Sequence, residues 1–265
     1  MLFAIPFLQI DPVLFSIGPL AVRWYALSYV AGLLFGFQLL RRRAAQSSDD
    51  LSADNIDDFL VWATIGIIIG GRLGYVIFYN FQYFLANPLE IFATWRGGMS
   101  FHGGLLGVVI AGLLFCRRHK LSPLILGDML ACAAPIGLFF GRIANFINGE
   151  LYGRVTDAPW GVVFPYGGPE PRHPSQLYEA FLEGLVLFVV LNIMWRSEKV
   201  RANSGVLTGS FIAGYAIARM IVELFRQPDS HIGFLTLGST MGQWLSVPML
   251  IIGVGMIIWG SRRTA

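Results

Sequence analysis

The run DFLVWATIGIIIGGRLGYVIFY, Asp58 to Tyr79, decides the class of this chain. After Asp58 its only charge is Arg72. Crossing about 30 Å of hydrocarbon takes about 20 mostly apolar residues, and this run supplies them. Working outward, further stretches qualify or nearly qualify at about Pro19–Leu40, Ser100–Cys116, Ser122–Asn145, Gln176–Trp195, Gly205–Phe225 and Met241–Gly260. The composition agrees: of 265 residues, 55% are hydrophobic and 13% charged, against about 25% charged in typical soluble domains. A soluble domain of this size has no interior large enough to hide so much apolar surface. The expectation is an all-α integral membrane protein with about seven transmembrane helices, forming a single multi-pass domain over residues 1–265.

Basic residues set the orientation. Arg41–Arg43, Arg117, Arg118, Lys120, Arg196, Lys199, Arg201, Arg262 and Arg263 fall on one side of the spans, and Arg96, Arg154, Arg172 and Arg226 on the other. Eleven against four reads, by the positive-inside rule, as N-terminus periplasmic and C-terminus cytoplasmic. The connections at about 80–99 and 146–175 then face the periplasm. The second, with Pro159, Pro165, Gly167, Gly168, Pro169 and Pro171, reads as an irregular cap. Met1–Pro12 lacks a basic n-region and a small-residue cleavage site, so the first helix is expected to act as an uncleaved insertion signal.

Several classes of chemistry are disfavoured. A net charge of +3 does not suggest a nucleic-acid partner. Cys116 and Cys132 have no CxxC spacing and lie in apolar runs, so they read as buried inert thiols. The four histidines are scattered, without metal-ligand spacing, and no metal or other cofactor is expected. Intramembrane proteolysis has no GxSxG or HExxH pattern behind it. A multi-pass membrane transporter is the alternative reading, because intramembrane charges are common there. A transport pathway, however, places charges in the inner half too, and here only Asp128 lies there.

The remaining charges share one depth. Arg23, Arg72, Arg142 and Arg219 lie within or at the edges of apolar spans, all in the outer half of the bilayer, as do His102, Glu179, Glu183 and Glu223. An intramembrane arginine costs at least about 2.5–3.5 kcal/mol on insertion scales. Each could snorkel to the interface or pair with a glutamate. A set at head-group depth suits an anionic lipid phosphate, which arginine binds bidentately. Gly71-Arg72-Leu73 and Gly141-Arg142-Ile143 faintly echo each other.

Glycine and polar residues concentrate in GGMSFHGG (Gly97–Gly104), GRIANFINGELYGR (Gly141–Arg154) and RHPSQLYE (Arg172–Glu179). Irregular backbone at membrane depth is tolerated where it lines an enclosed cavity. These segments, with DPVLFSIGPLAVRWYALSY (Asp11–Tyr29) and VELFRQPD (Val222–Asp229), closely resemble the prolipoprotein diacylglyceryl transferase family. The resemblance runs through nearly the whole chain in the family's order, with the 155–171 connection short for the family. It implies phosphatidylglycerol as donor, the lipobox cysteine of a prolipoprotein signal peptide as acceptor, a thioether as product and glycerol 1-phosphate as leaving group. It also implies seven spans in the bacterial inner membrane and a site open to the periplasmic leaflet.

Residue roles follow from that resemblance. Arg142 and Arg219 match functional family arginines and are assigned to the phosphate. Asn145, three residues on and on the same helical face, either hydrogen-bonds the head group or caps the helix. Glu150 and Gly153 match family positions in the loop; Glu150 orients Arg142 or the glycerol hydroxyls, and Gly153 permits a tight turn or touches substrate. His102 is a candidate base for the thiol proton. Glu223, four residues after Arg219, either orients that arginine or takes the proton instead. Tyr25 and Tyr215 match family positions and read equally well as interfacial belt residues.

Overall fold

The computed structural model of the protein describes residues 5–8, 10–18, 20–46, 51–228 and 233–262. Of the residues named above, Met1, Pro19, Asp229 and Arg263 lie outside them. The chain is mostly helical: α1 (Trp24–Gln46), α2 (Ala53–Phe78), α3 (Phe81–Ala86), α4 (Phe101–His119), α5 (Pro123–Ile147), α6 (Ser175–Trp195), α7 (Glu198–Ala202), α8 (Val206–Val222) and α9 (Met241–Ser261). Among the described residues, α2, α4, α5, α6 and α9 are long and apolar enough to cross a membrane by length and composition. Helix α8 is apolar but only 17 residues long.

Short strands accompany the helices, a departure from an all-α chain. β2 (Val13–Ile17) and β3 (Leu20–Arg23) form an antiparallel hairpin, and β1 (Ile5–Pro6) pairs in parallel with β4 (Val162–Val163). The first predicted span therefore starts too early. Leu20–Arg23 is strand, because the turn at Gly18 (φ +58°) folds it back on Val13–Ile17 as an antiparallel partner.

The chain divides into two compact units, Leu40–Leu126 and Met1–Leu39 with Gly127–Ala265. In the first, α2 and α4 pack along glycine. A Cβ placed on Gly66 would sit 2.6 Å from the Gly107 carbonyl oxygen, and one on Gly74 would sit 2.8 Å from Gly103 Cα. On Gly70 it would collide with the Gly103 carbonyl. Lipid removes the hydrophobic drive for helix pairing, so close backbone approach along small residues takes its place. Reciprocal capping starts α2: Asn55 N donates to Ser52 Oγ at 3.2 Å and Ser52 N to Asn55 Oδ1 at 2.9 Å.

Arg72 belongs to this unit and is not an open cation. Its Nε donates to Ile91 O (2.7 Å), Nη1 to Gly97 O (2.5 Å) and Gly98 O (3.1 Å), and Nη2 to Glu90 O (2.6 Å) and Ala93 O (3.3 Å). The guanidinium also lies over the Phe84 ring, 5.1 Å from its centroid. No carboxylate lies within ion-pair distance of it among the described residues; it staples the 90–98 loop to α2 through backbone carbonyls.

In the second unit, Gly32 of α1 approaches α5, where a Cβ would meet Gly137 Cα at 3.1 Å, and Gly184 of α6 lies against Phe139. Cys132, Leu187, Leu191 and Leu207 form a buried cluster joining α5, α6 and α8. Both cysteines are unbridged and buried. Within α6 the stretch Ala180–Val186 is wound as a π-helix. Asp128 caps α8: Gly205 N and Thr208 N donate to its carboxylate at 2.7 Å each, and Thr208 Oγ1 at 2.6 Å. Asp128 therefore serves as a cap for α8 supplied from α5.

Candidate active site

Helices α5, α6 and α8 each bring charged side chains to one cluster. Arg142 comes from α5, Glu179 and Glu183 from α6, and Arg219 from α8, with Glu223 and Arg226 following α8 directly. Glu179 is the hub. Its Oε1 accepts from Arg219 Nη1 at 2.6 Å and Arg226 Nη1 at 2.8 Å, and its Oε2 lies 3.2 Å from Arg142 Nε. Arg142 Nη2 also reaches Glu183 Oε2 at 3.4 Å. Glu223 Oε1 pairs closely with Arg219 Nη2 and lies 3.9 Å from Arg226 Nε.

The charges balance, three guanidinium groups against three carboxylates. Like charges gather this tightly only around shared counter-ions, and a partner lost from such a buried set leaves an uncompensated charge. Exposure is uneven: Glu179 and Glu183 are fully buried, whereas the three arginine side chains keep 12–18% of their surface open. The carboxylates are the buried partners of the cluster, and the arginine side chains keep its more open surface. Gly242, at the start of α9, makes room for the Glu223 carboxylate, which a side chain there would strike.

The loop after α5 is tied to the start of α6. Gln176 Nε2 donates to Glu150 O at 2.6 Å, Ser175 Oγ to Leu151 O at 3.0 Å, and Gly153 N to His173 O at 2.8 Å. Arg154 secures the end of α8, with Nη2 to Glu223 O at 3.0 Å and Nε to Arg226 O at 2.9 Å. Arg172 donates to Gly167 O at 2.7 Å and to Gln227 Oε1 at 3.3 Å. Burial, and then the Arg154 charge, hold the His173 imidazole below the usual histidine range.

The structure brings Arg142, Arg219 and Glu223 together. Tyr215 lies within electrostatic range of Glu183, Arg219 and Arg142. Tyr25 lies within range of Glu150 and Arg142, with its hydroxyl 3.1 Å from that of Tyr29. Asn145 does not cap its helix; its Nδ2 donates to Glu150 Oε1 at 2.9 Å, and Asn148 Nδ2 donates to the same oxygen at 3.2 Å. Glu150 is thus held by two amides, and no ion pair joins it to Arg142 among the described contacts. Gly153 is not the turn residue; the left-handed positions are Gly149 (φ +66°) and Leu151 (φ +58°). Gly153 instead lets two backbones close in, since a Cβ there would sit 2.5 Å from Phe225 O and 2.8 Å from His173 O. His102 belongs to the other unit, exposed in the first turn of α4 beside Phe101.

Sequence reasoning gave no role to Glu179, Glu183, Arg226 or Arg154. Two carboxylates four residues apart in an apolar span are a signal that was available, because burying both demands cations.

The family model for prolipoprotein diacylglyceryl transferase matches residues 12–259. The chain belongs to this family. It is similar to the phosphatidylglycerol–prolipoprotein diacylglyceryl transferase of Rhodospirillum rubrum, 57% identical over 264 residues, covering 99% of this chain and 96% of that one. It also resembles proteins of the same name from Paramagnetospirillum magneticum (54% identical, 100% and 99% covered) and Azospirillum brasilense (55%, 100% and 99%). This member of the family is accordingly a multi-pass membrane transferase, and its arginine–glutamate cluster is the candidate site of transfer.

Proposed function

We infer that this chain transfers the diacylglyceryl group of phosphatidylglycerol to the lipobox cysteine of prolipoprotein signal peptides, the first step of lipoprotein maturation. The observation that carries the site assignment is the convergence of Arg142, Arg219 and Arg226, with partly open side chains, on the buried Glu179 in a chain built for lipid. In the reaction the cysteine sulfur attacks the diacylglyceryl carbon that bears the phosphate ester. The new C–S bond replaces the C–O bond, whose electron pair leaves on glycerol 1-phosphate. The thiol proton passes to a base, His102 or Glu223, and finally to the released phosphate or to solvent.

Arg142 and Arg219 bind the phosphate, and hold it more tightly as it gains charge, which lowers the barrier. Glu179 keeps both guanidinium groups in register, and Glu223 with Arg226 fixes Arg219. Asn145 and Asn148 hold Glu150 beside the head-group region, and Gly153 keeps the loop closed on His173. Tyr25 and Tyr215 line the same neighbourhood.

The reading extends to topology. Residues 1–265 form one multi-pass domain in the bacterial inner membrane, with α1 and α8 completing seven spans. The N-terminus and the 80–99 and 146–175 connections are periplasmic, and the site opens to the periplasmic leaflet. The eleven-to-four basic bias supports this orientation. Impermeant thiol labelling of Gly168→Cys and Ser261→Cys in intact cells checks it, and labelling of both from one side overturns it.

The activity itself is tested with purified chain in phosphatidylglycerol vesicles and a lipobox cysteine peptide. The expected result is a thioether-linked diacylglyceryl peptide and an equal molar release of glycerol 1-phosphate. A chain that makes neither is not this enzyme.

A further inference from the structure

Three buried side-chain oxygens on α6 lack a hydrogen-bond donor: Gln176 Oε1, Glu179 Oε2 and Glu183 Oε1. The two glutamates are compensated by charge, since Arg142 lies 3.2 Å from one and 3.4 Å from the other. Gln176 has no such compensation. It is fully buried, and its amide cannot be turned round. Nε2 donates to Glu150 O at 2.6 Å, and exchanging the two ends would set oxygen against oxygen. One end of this side chain is committed and the other is a bare acceptor.

A buried acceptor without a donor costs about 1–3 kcal/mol, and native proteins keep few of them. Gln176 also sits three residues before Glu179, on the same face of α6 and about 4.5 Å along its axis. The missing partner is therefore a hydrogen-bond donor one short step from the point where the arginines gather. A polyol attached to a phosphate has that form: an anion for the guanidinium groups and a neutral hydroxyl within one short step of it.

We propose that Gln176 is a specificity residue, whose Oε1 accepts a hydrogen bond from a hydroxyl of the donor lipid's polyol head group while Arg142 and Arg219 hold the phosphate. This rests on the reading of a phosphodiester lipid as donor. Gln176 then distinguishes a hydroxyl-bearing head group from an alkyl one, and its Nε2 bond to Glu150 O fixes the angle at which it does so.

The test compares two donors, phosphatidylglycerol and phosphatidylpropanol, whose head group has no free hydroxyl. Each is presented in mixed vesicles with one cysteine peptide. For the unaltered chain, kcat/KM should favour phosphatidylglycerol by about tenfold, the effect of one hydrogen bond whose acceptor is otherwise left bare. In Gln176→Met that ratio should fall close to one. Gln176→Glu keeps an acceptor and loses the bond to Glu150 O, so it should retain a clear preference even if slower on both lipids. The ratio is taken within one preparation, so any unfolded fraction cancels. An unaltered ratio in Gln176→Met, or no preference in the unaltered chain, overturns the proposal and leaves Gln176 a support for the Glu150 loop. Absence of any thioether from phosphatidylglycerol with the unaltered chain overturns the donor reading instead.

Discussion

Arg72 and Arg142 sit in nearly the same local sequence, Gly-Arg-Leu and Gly-Arg-Ile, and are used in opposite ways. Arg72 places its guanidinium on backbone carbonyls, from Gly97 O at 2.5 Å to Ala93 O at 3.3 Å. Carbonyls are fixed, neutral acceptors, and a cation so enclosed has no edge left for a ligand. Arg142 is held by two carboxylates of α6 and keeps 18% of its side chain exposed. Carboxylates neutralise a cation without covering it. An arginine on carbonyls is therefore a clamp, whereas one on shared carboxylates fits the anion-binding role proposed for Arg142.

Arg142→Lys and Arg219→Lys give the largest expected effect. Lysine keeps the charge but not the planar fork. Loss of a transition-state donor typically costs about 2.7–4 kcal/mol, or about 10²–10³ in rate. Thioether formed per mole of folded protein should drop by that order while membrane insertion persists. Near-normal turnover in both variants would abolish the contrast with Arg72.

Arg72→Lys should do the reverse. Three ammonium donors cannot serve five carbonyls, and each buried acceptor left bare costs about 1–3 kcal/mol. Folded yield and the thermal midpoint in detergent should fall, with turnover per folded molecule close to that of the unaltered chain. A stable Arg72→Lys protein that has lost turnover would place this arginine in the chemistry instead.

This pair also shows how far the sequence could be read. Apolar length alone located the long helices, because span length is set by the bilayer and needs no tertiary knowledge. The meeting of Arg142 with Arg219 followed from shared depth and motif. The counter-ions did not. Glu179 was visible at the right depth, but which arginines it would join depends on how α5, α6 and α8 pack. Arg226 was counted with the outer connection because nothing local shows that the chain turns back onto Glu179 after α8. The use of Arg72 was illegible for a different reason: backbone carbonyls leave no trace in side-chain identity.

A smaller effect sharpens the structural side of the contrast. Gly107→Val puts a branched side chain against the Gly66 carbonyl, and overpacking of this kind costs about 1–3 kcal/mol. The thermal midpoint should fall, whereas Gly255→Ala, where a Cβ meets nothing within 4 Å, should hold or slightly raise it, alanine being the better helix former. Equal midpoints for the two variants would deny the glycine seam its role.

The smallest expected effect is acid sensitivity from His173. Its folded-state value is depressed, first by burial and then by Arg154. Protons therefore bind the unfolded chain more readily, and stability rises with pH across that window. The contribution is complete above the ordinary histidine value of about 6.5 and is lost as pH falls below it toward the depressed folded value. His173→Asn should flatten the dependence of the thermal midpoint between about pH 7.5 and 5.5; an unchanged slope would assign the acid loss to other groups.

The π-helical stretch Ala180–Val186 has a consequence for how this chain can change over generations. A π turn holds one residue more than the α turn it replaces, the usual mark of a single inserted residue. Removing one residue there restores ordinary winding and leaves Gln176 and Glu179 on the face they hold, because the wider turn already absorbs the extra residue. Removing one from an ordinary turn of α6 instead rotates its N-terminal end by about 100° against its C-terminal end, and Gln176 and Glu179 swing off their face together while every side chain keeps its chemistry. The π turn is thus a place where α6 can lose a residue and keep its angular phase.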